Sequence, residues 1–161
     1  MLPTGRCVLD EVIHNCEHSK LAQKVIVATP DKDLKHGYTY IGSEDDVYQR
    51  YVNAAKKFNV NVIVRITSDC PLIKPHIIDE AIYQYRISGK EFVYNSDEDG
   101  GDGFDVEVFS LETLIRYGKD KEHVTGNMRK NADKLKIPSP EEEGKSIDTL
   151  QDYLDVCEIL K

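Results

Sequence analysis

Apolar residues recur along this chain at two spacings, and the alternation between them outlines a fold. Leu9, Val12, Ile13 and Cys16 stand at i, i+3, i+4 and i+7, which places them on one face of a helix packed against something. Residues 24–28, Lys-Val-Ile-Val-Ala, form a β-branched run stopped by Thr29-Pro30, the signature of a buried strand. Residues 38–41 predict a second, shorter strand. Ser43 with Asp46 three residues on resembles a capping box, and Val47, Tyr51, Ala54 and Phe58 continue one apolar face behind it. Residues 62–66, Val-Ile-Val-Arg-Ile, are apolar enough for a central strand, which ends in the loop Thr67-Ser68-Asp69-Cys70-Pro71.

The second half continues the alternation. Pro75 suits a helix start and Gly89 the position just past its end, with Ile78, Ala81, Ile82 and Tyr85 as the buried stripe between them. Residues 92–94 and 104–109 predict strands separated by the turn-rich stretch 96–103. Ser110 can cap a short helix through Tyr117, and a more polar helix is expected over residues 123–135. A loop at 137–144 and a short strand at 145–147 follow. Thr149 and Asp152 then cap a last helix with Leu150, Tyr153, Leu154 and Cys157 inward. Strands alternating with helices predict an α/β domain spanning residues 1–161, its mostly parallel sheet covered on both faces in three layers. In such sheets ligands bind beyond the carboxyl ends of the strands.

Composition narrows the function. With 161 residues, 40% of them hydrophobic, the chain is neither disordered nor fibrous. Lys and Arg number 21 against 29 for Asp and Glu, a net charge of -8 that argues against a nucleic acid polymer as partner. No apolar run is long enough to cross a bilayer, and residues 1–4 lack the regions of a signal peptide, so no membrane partner and a cytoplasmic location are expected. The four cysteines, Cys7, Cys16, Cys70 and Cys157, are dispersed, as reduced and mostly buried thiols are.

Asp69 directly follows one predicted strand and Asp148 another. Two carboxylates at strand ends suit Mg2+, which takes one or two protein carboxylates and completes its octahedron with water and phosphate oxygens. Each also has a plainer reading, Asp69 as a turn former and Asp148 as a helix cap.

Several words of the sequence are similar, in order, to motifs of one family. They are Gly42-Ser43-Glu44-Asp45-Asp46-Val47, Val64-Arg65-Ile66-Thr67-Ser68-Asp69-Cys70-Pro71-Leu72-Ile73, Asp102-Gly103-Phe104-Asp105-Val106-Glu107-Val108-Phe109-Ser110, Glu122-His123-Val124-Thr125 and Ser146-Ile147-Asp148-Thr149. The chain resembles the cytidylyltransferases of spore coat polysaccharide biosynthesis, relatives of the synthetases that make CMP-linked sugar acids. The resemblance implies a nucleotide-diphospho-sugar transferase fold of the GT-A type. It also implies attack of a sugar or sugar-acid oxygen on the α-phosphate of CTP with release of pyrophosphate. Asp69 and Asp148 match the family's two magnesium aspartates. Arg65, on one strand face with Thr67 and Asp69, either reaches an anionic substrate or forms a structural ion pair. Asp105 and Glu107 fall in an acceptor-pocket motif, Asn95 and Asp102 can add hydrogen bonds, and His123 either contacts substrate or anchors its helix. A homodimer is left open.

Four departures from the family pattern bear on activity. The opening strand and its Arg-Leu-Pro-Gly-Lys phosphate loop have no counterpart here, the stretch from Pro30 to Tyr38 is shorter than the family's helix-bearing connection, Ser68 stands where a Gly is usual, and Gly126 where a Pro is usual. An N-terminally shortened, catalytically impaired homologue that acts as a binding or assembly partner is therefore the alternative. The missing strand belongs at the sheet centre, so either residues 24–28 pair directly with 62–66 or an open slot between them is filled by another chain or by residues outside this sequence. A third reading comes from His14-Asn15-Cys16-Glu17-His18, which fits the H-x-x-E-H pattern of zinc peptidases, although both histidines face away from the apolar stripe.

Overall fold

The computed structural model describes residues 1–96, 103–118, 124–141 and 144–161. After turns at the start of the chain, α1 (Val8–Glu17) leads to β1 (Ile26–Thr29) and β2 (Tyr38–Ile41), which pair in parallel. Next come α2 (Val47–Lys57), β3 (Val62–Arg65), α3 (Pro75–Ser88), β4 (Phe92–Tyr94), β5 (Glu107–Ser110), α4 (Leu111–Tyr117), α5 (Gly126–Asn131), β6 (Lys134–Lys136) and α6 (Leu150–Ile159). The second sheet has the order β3-β5-β4-β6, with β5 antiparallel to both neighbours and β4 parallel to β6. The sheets are thus mixed.

Alternation along the strands builds two cores, one on each face. Val93 and Val108 face α3, α1 and α6, meeting Ile78, Ala81, Val12 and Val156. Phe92, Phe109 and Ile63 face α2, α4 and α5, where they meet Val52, Leu114 and Met128. The result is the expected three layers of helix, sheet and helix.

Local signals mostly act as predicted. Pro75 opens α3 and Gly89 closes it in the left-handed conformation at φ 69°. Thr149 and Asp152 form a complete capping box on α6. At α2 the cap is Asp46, whose carboxylate accepts from the Gln49 N–H, while Ser43 accepts one turn earlier from the Asp46 N–H. Other expectations are corrected. Residues 134–136 leave the expected polar helix to pair with β4, because burying an edge of β4 outweighs weak helix propensity. Residues 145–147 form no strand and make one backbone bond, from Ile147 N–H to Asp69 C=O at 2.8 Å. Leu150 and Leu154 point outward, and Val156 takes the fully buried place on α6.

At the centre, β1 and β3 do not pair. Among the described residues no backbone bond joins them, and a cleft of about 860 Å³ separates them. Of the two arrangements expected from the sequence, the open slot is the one present.

Candidate active site

The strand registers gather the site. Arg65 lies opposite Glu107, and Glu107 lies opposite Tyr94, so the carboxyl ends of β3 and β4 meet the start of β5 at one rim. Asp69 follows β3 around the Thr67–Cys70 turn, where the Thr67 hydroxyl and Cys70 thiol are 3.1 Å apart. The bond from Ile147 N–H to Asp69 C=O fastens the segment before α6, next to Asp148, to the backbone of this turn.

A third segment is clamped to the same place by a close approach. Gly103 has φ +81°, and a Cβ there would lie 2.3 Å from the carbonyl carbon of Lys145. Only glycine allows this contact. The path into β5 is thereby pressed against the Asp148 segment. Asn95, fully buried, holds the other side of that path: its side-chain N–H donates to Phe104 C=O and its side-chain oxygen accepts from Val106 N–H, both at 2.8 Å.

Asp69 is half-buried and accepts from the Cys70 thiol at 3.5 Å. Asp148 is exposed and accepts from the Ser146 hydroxyl at 3.2 Å. Both carboxylates keep oxygens for a hard cation. Two carboxylates with room for water and phosphate are a donor set that fits Mg2+. Among the described residues there is no group of three His, Cys, Asp or Glu able to hold a metal. His14 and His18 stack on each other at 4.2 Å, with the His18 ring nitrogen against His14 C=O, and gather no third ligand. The zinc peptidase arrangement lacks the enclosed site it needs.

Glu107 is the clearest difference from the acceptor-pocket expectation. Its side chain is 1% exposed and lies between two guanidiniums, accepting from Arg65 at 2.8 Å and from Arg129 Nε at 3.1 Å. Glu107 itself therefore presents no free carboxylate to a sugar. Arg129, which the sequence did not single out, also donates to the Ser96 hydroxyl and stacks over Tyr94 at 5.0 Å. Its helix carries no motif that marks it; only the fold brings it to β5. Burial pulls the Arg65 pKa down, but Tyr51, Glu107 and Asp105 outweigh it and hold the guanidinium above its usual value. Its Nε–H has no hydrogen-bond partner among the described residues. Burial pushes the Cys70 thiol up to about 12, as an inert, reduced cysteine requires.

Asn95 likewise spends its amide on backbone rather than on ligand. Asp105 is half-buried ahead of β5, which begins later than the predicted strand. Asp102 and His123 lie outside the described residues.

A mixed sheet between two helical layers is the nucleotide-diphospho-sugar transferase type of fold, shared with solved nucleotidyltransferases. The profile of the cytidylyltransferase family matches residues 4–139, and the chain belongs to that family. An uncharacterized protein of Methanocaldococcus jannaschii is 31% identical over 180 aligned positions, which take in 97% of this chain and 73% of that protein. The spore coat polysaccharide biosynthesis protein SpsF of Bacillus subtilis is 29% identical over 101 positions, 54% of this chain and 42% of that protein. A solved cytidylyltransferase from Leptospira borgpetersenii superposes with a TM-score of 0.78 at 25% identity, covering 97% of this chain and 83% of that one. No helix among the described residues is long and apolar enough to cross a membrane.

Proposed function

We propose that the Asp69–Asp148 rim carries out cytidylyl transfer: an oxygen of a sugar or sugar acid attacks the α-phosphorus of CTP. The new P–O bond replaces the bond to the β-phosphate, pyrophosphate leaves, and the hydroxyl proton passes to water. The observation that supports this reading is the Ile147 N–H to Asp69 C=O bond, which joins the backbone segments that carry the two aspartates. Asp69 and Asp148 would hold Mg2+, which when bound offsets the charge that builds on the phosphates. Arg65 and Arg129 both donate to Glu107, and Asp105 acts on Arg65 as well, so these guanidiniums form an ion-pair network that braces the rim. Membership of the cytidylyltransferase family supports CTP as the donor.

The test is pyrophosphate release from CTP, Mg2+ and a panel of sugars and sugar acids. Asp69→Asn is expected to lower the rate at least about a hundredfold with the fold intact, comparable to losing one preorganised electrostatic group. A rate unchanged by that substitution overturns the assignment.

A second reading is favoured by the cleft between β1 and β3. On this reading the chain is an impaired homologue that works as a binding or assembly partner, and its 161 residues alone turn over no CTP. Calorimetry with CTP and Mg2+ separates the two, because an active site binds the nucleotide measurably and an impaired one does not.

A further inference from the structure

We infer that His14 and His18 form an exposed two-imidazole site for a borderline divalent transition metal of the Zn2+ class. The pair sits at the end of α1, His14 in the last turn and His18 as the C-cap residue. Residues four apart on a helix are neighbours on one face, and here the ring centroids are 4.2 Å apart with the planes inclined at 54°. Two nitrogens each about 2.0–2.1 Å from one ion and at a right angle to it stand about 2.9 Å apart, a spacing within reach of rings this close. His14 is half-buried and His18 exposed, so an ion reaches them from solvent.

A hydrogen bond singles out one nitrogen of His18 as a ligand. Its Nδ1 lies 2.7 Å from His14 C=O, and a carbonyl only accepts, so Nδ1 carries the proton and Nε2 keeps its lone pair. A backbone carbonyl on the second nitrogen is what fixes tautomer and ring orientation in histidine metal ligands. Among the described residues no hydrogen bond engages His18 Nε2 or either ring nitrogen of His14. Charge favours a cation as well. The carboxyl end of a helix carries partial negative charge, the exposed Glu17 stands one turn from His14, and the chain has a net charge of -8. Imidazole nitrogen suits Zn2+ and Ni2+ whereas Mg2+ takes oxygen, so this site is chemically separate from the Asp69–Asp148 rim. No third His, Cys, Asp or Glu joins the pair among the described residues, so water completes the coordination shell. Two protein ligands hold an ion reversibly; a hydrolytic zinc takes three.

This inference does not rest on the nucleotidyl-transfer reading, and its test contains no nucleotide. The full chain, freed of metal with EDTA, is titrated calorimetrically with ZnCl2 and with NiCl2 in excess MgCl2. One ion per chain is expected, with a micromolar Kd. His14→Gln and His18→Gln are each expected to weaken binding at least about tenfold, while His36→Gln, His76→Gln and Cys7→Ser leave it unchanged. Saturating Zn2+ should raise the thermal midpoint of the parent chain and not that of His18→Gln, because the ion binds the folded helix. Ni2+ is paramagnetic, and in the unsubstituted chain its broadening of amide NMR signals is expected to centre on residues 14–18. The inference is overturned by any of four outcomes. These are no saturable binding up to about 1 mM, affinity unchanged in either histidine variant, loss of binding on Cys7→Ser or His36→Gln, or broadening centred outside residues 14–18.

Discussion

Glu107 shows how far one buried charge governs this rim. Its carboxylate serves two arginines, so replacing it strands two guanidiniums in a low-dielectric setting. Glu107→Gln is expected to cost about 3 kcal/mol in urea denaturation, in line with breaking a buried pair. Gly103→Ala forces a Cβ into the Lys145 backbone at a positive φ and is expected to cost about 2 kcal/mol, read as a lowered thermal midpoint. Cys7 is exposed whereas Cys70 is 1% exposed with its thiol raised to about 12. Iodoacetamide at pH 8 should therefore modify Cys7 in the native protein and Cys70 only in urea. Asp69 and Arg65 could be picked out from the sequence because each sits at a predictable distance from the β-branched run at 62–66. Nothing in the residues themselves distinguishes a glutamate that meets a ligand from one that holds two arginines; that depends on which strand becomes its neighbour.

Among the elements, α6 offers the sharpest test of a sequence signal. Thr149 caps the helix through the Asp152 N–H, and Asp152 returns a bond to the Thr149 N–H at 2.8 Å. The Thr149 hydroxyl, together with Lys145, lowers the Asp152 pKa to about 2. A carboxylate lowered on folding contributes stability that is complete above its ordinary value near 3.8 and is lost as pH falls through about 2. Thr149→Ala should cost about 1 kcal/mol at pH 7. Its difference from the parent should shrink between pH 4 and pH 2, as followed by thermal melts. Caps were readable at the sequence level because they are local. β6 was not, since residues 134–136 carry no strand pattern and are drawn into the sheet by the edge of β4. Leu150 and Leu154 misled for the opposite reason: both are apolar, but the surface that α6 rests on is reached by Val156.

Taken as one molecule, the chain carries two sheets of unequal support. β4 and β5 are buried on both faces between two cores, whereas β1 and β2 form a two-stranded ribbon facing a cleft. Small ribbons of this kind are marginal without further partners. Hydrogen exchange should accordingly be at least about tenfold faster in β1 and β2 than in β4 and β5. The sequence by itself determined the layered α/β character and most of the helix caps, because periodicity and capping act within a few residues. Tertiary structure alone decided that Glu107 pairs with Arg65 and Arg129, that the segment next to Asp148 is fastened to the Asp69 backbone, and that β1 and β3 stand apart around a cleft. Each of those outcomes depends on which distant backbone edge or charge becomes a neighbour, and no local pattern encodes that choice.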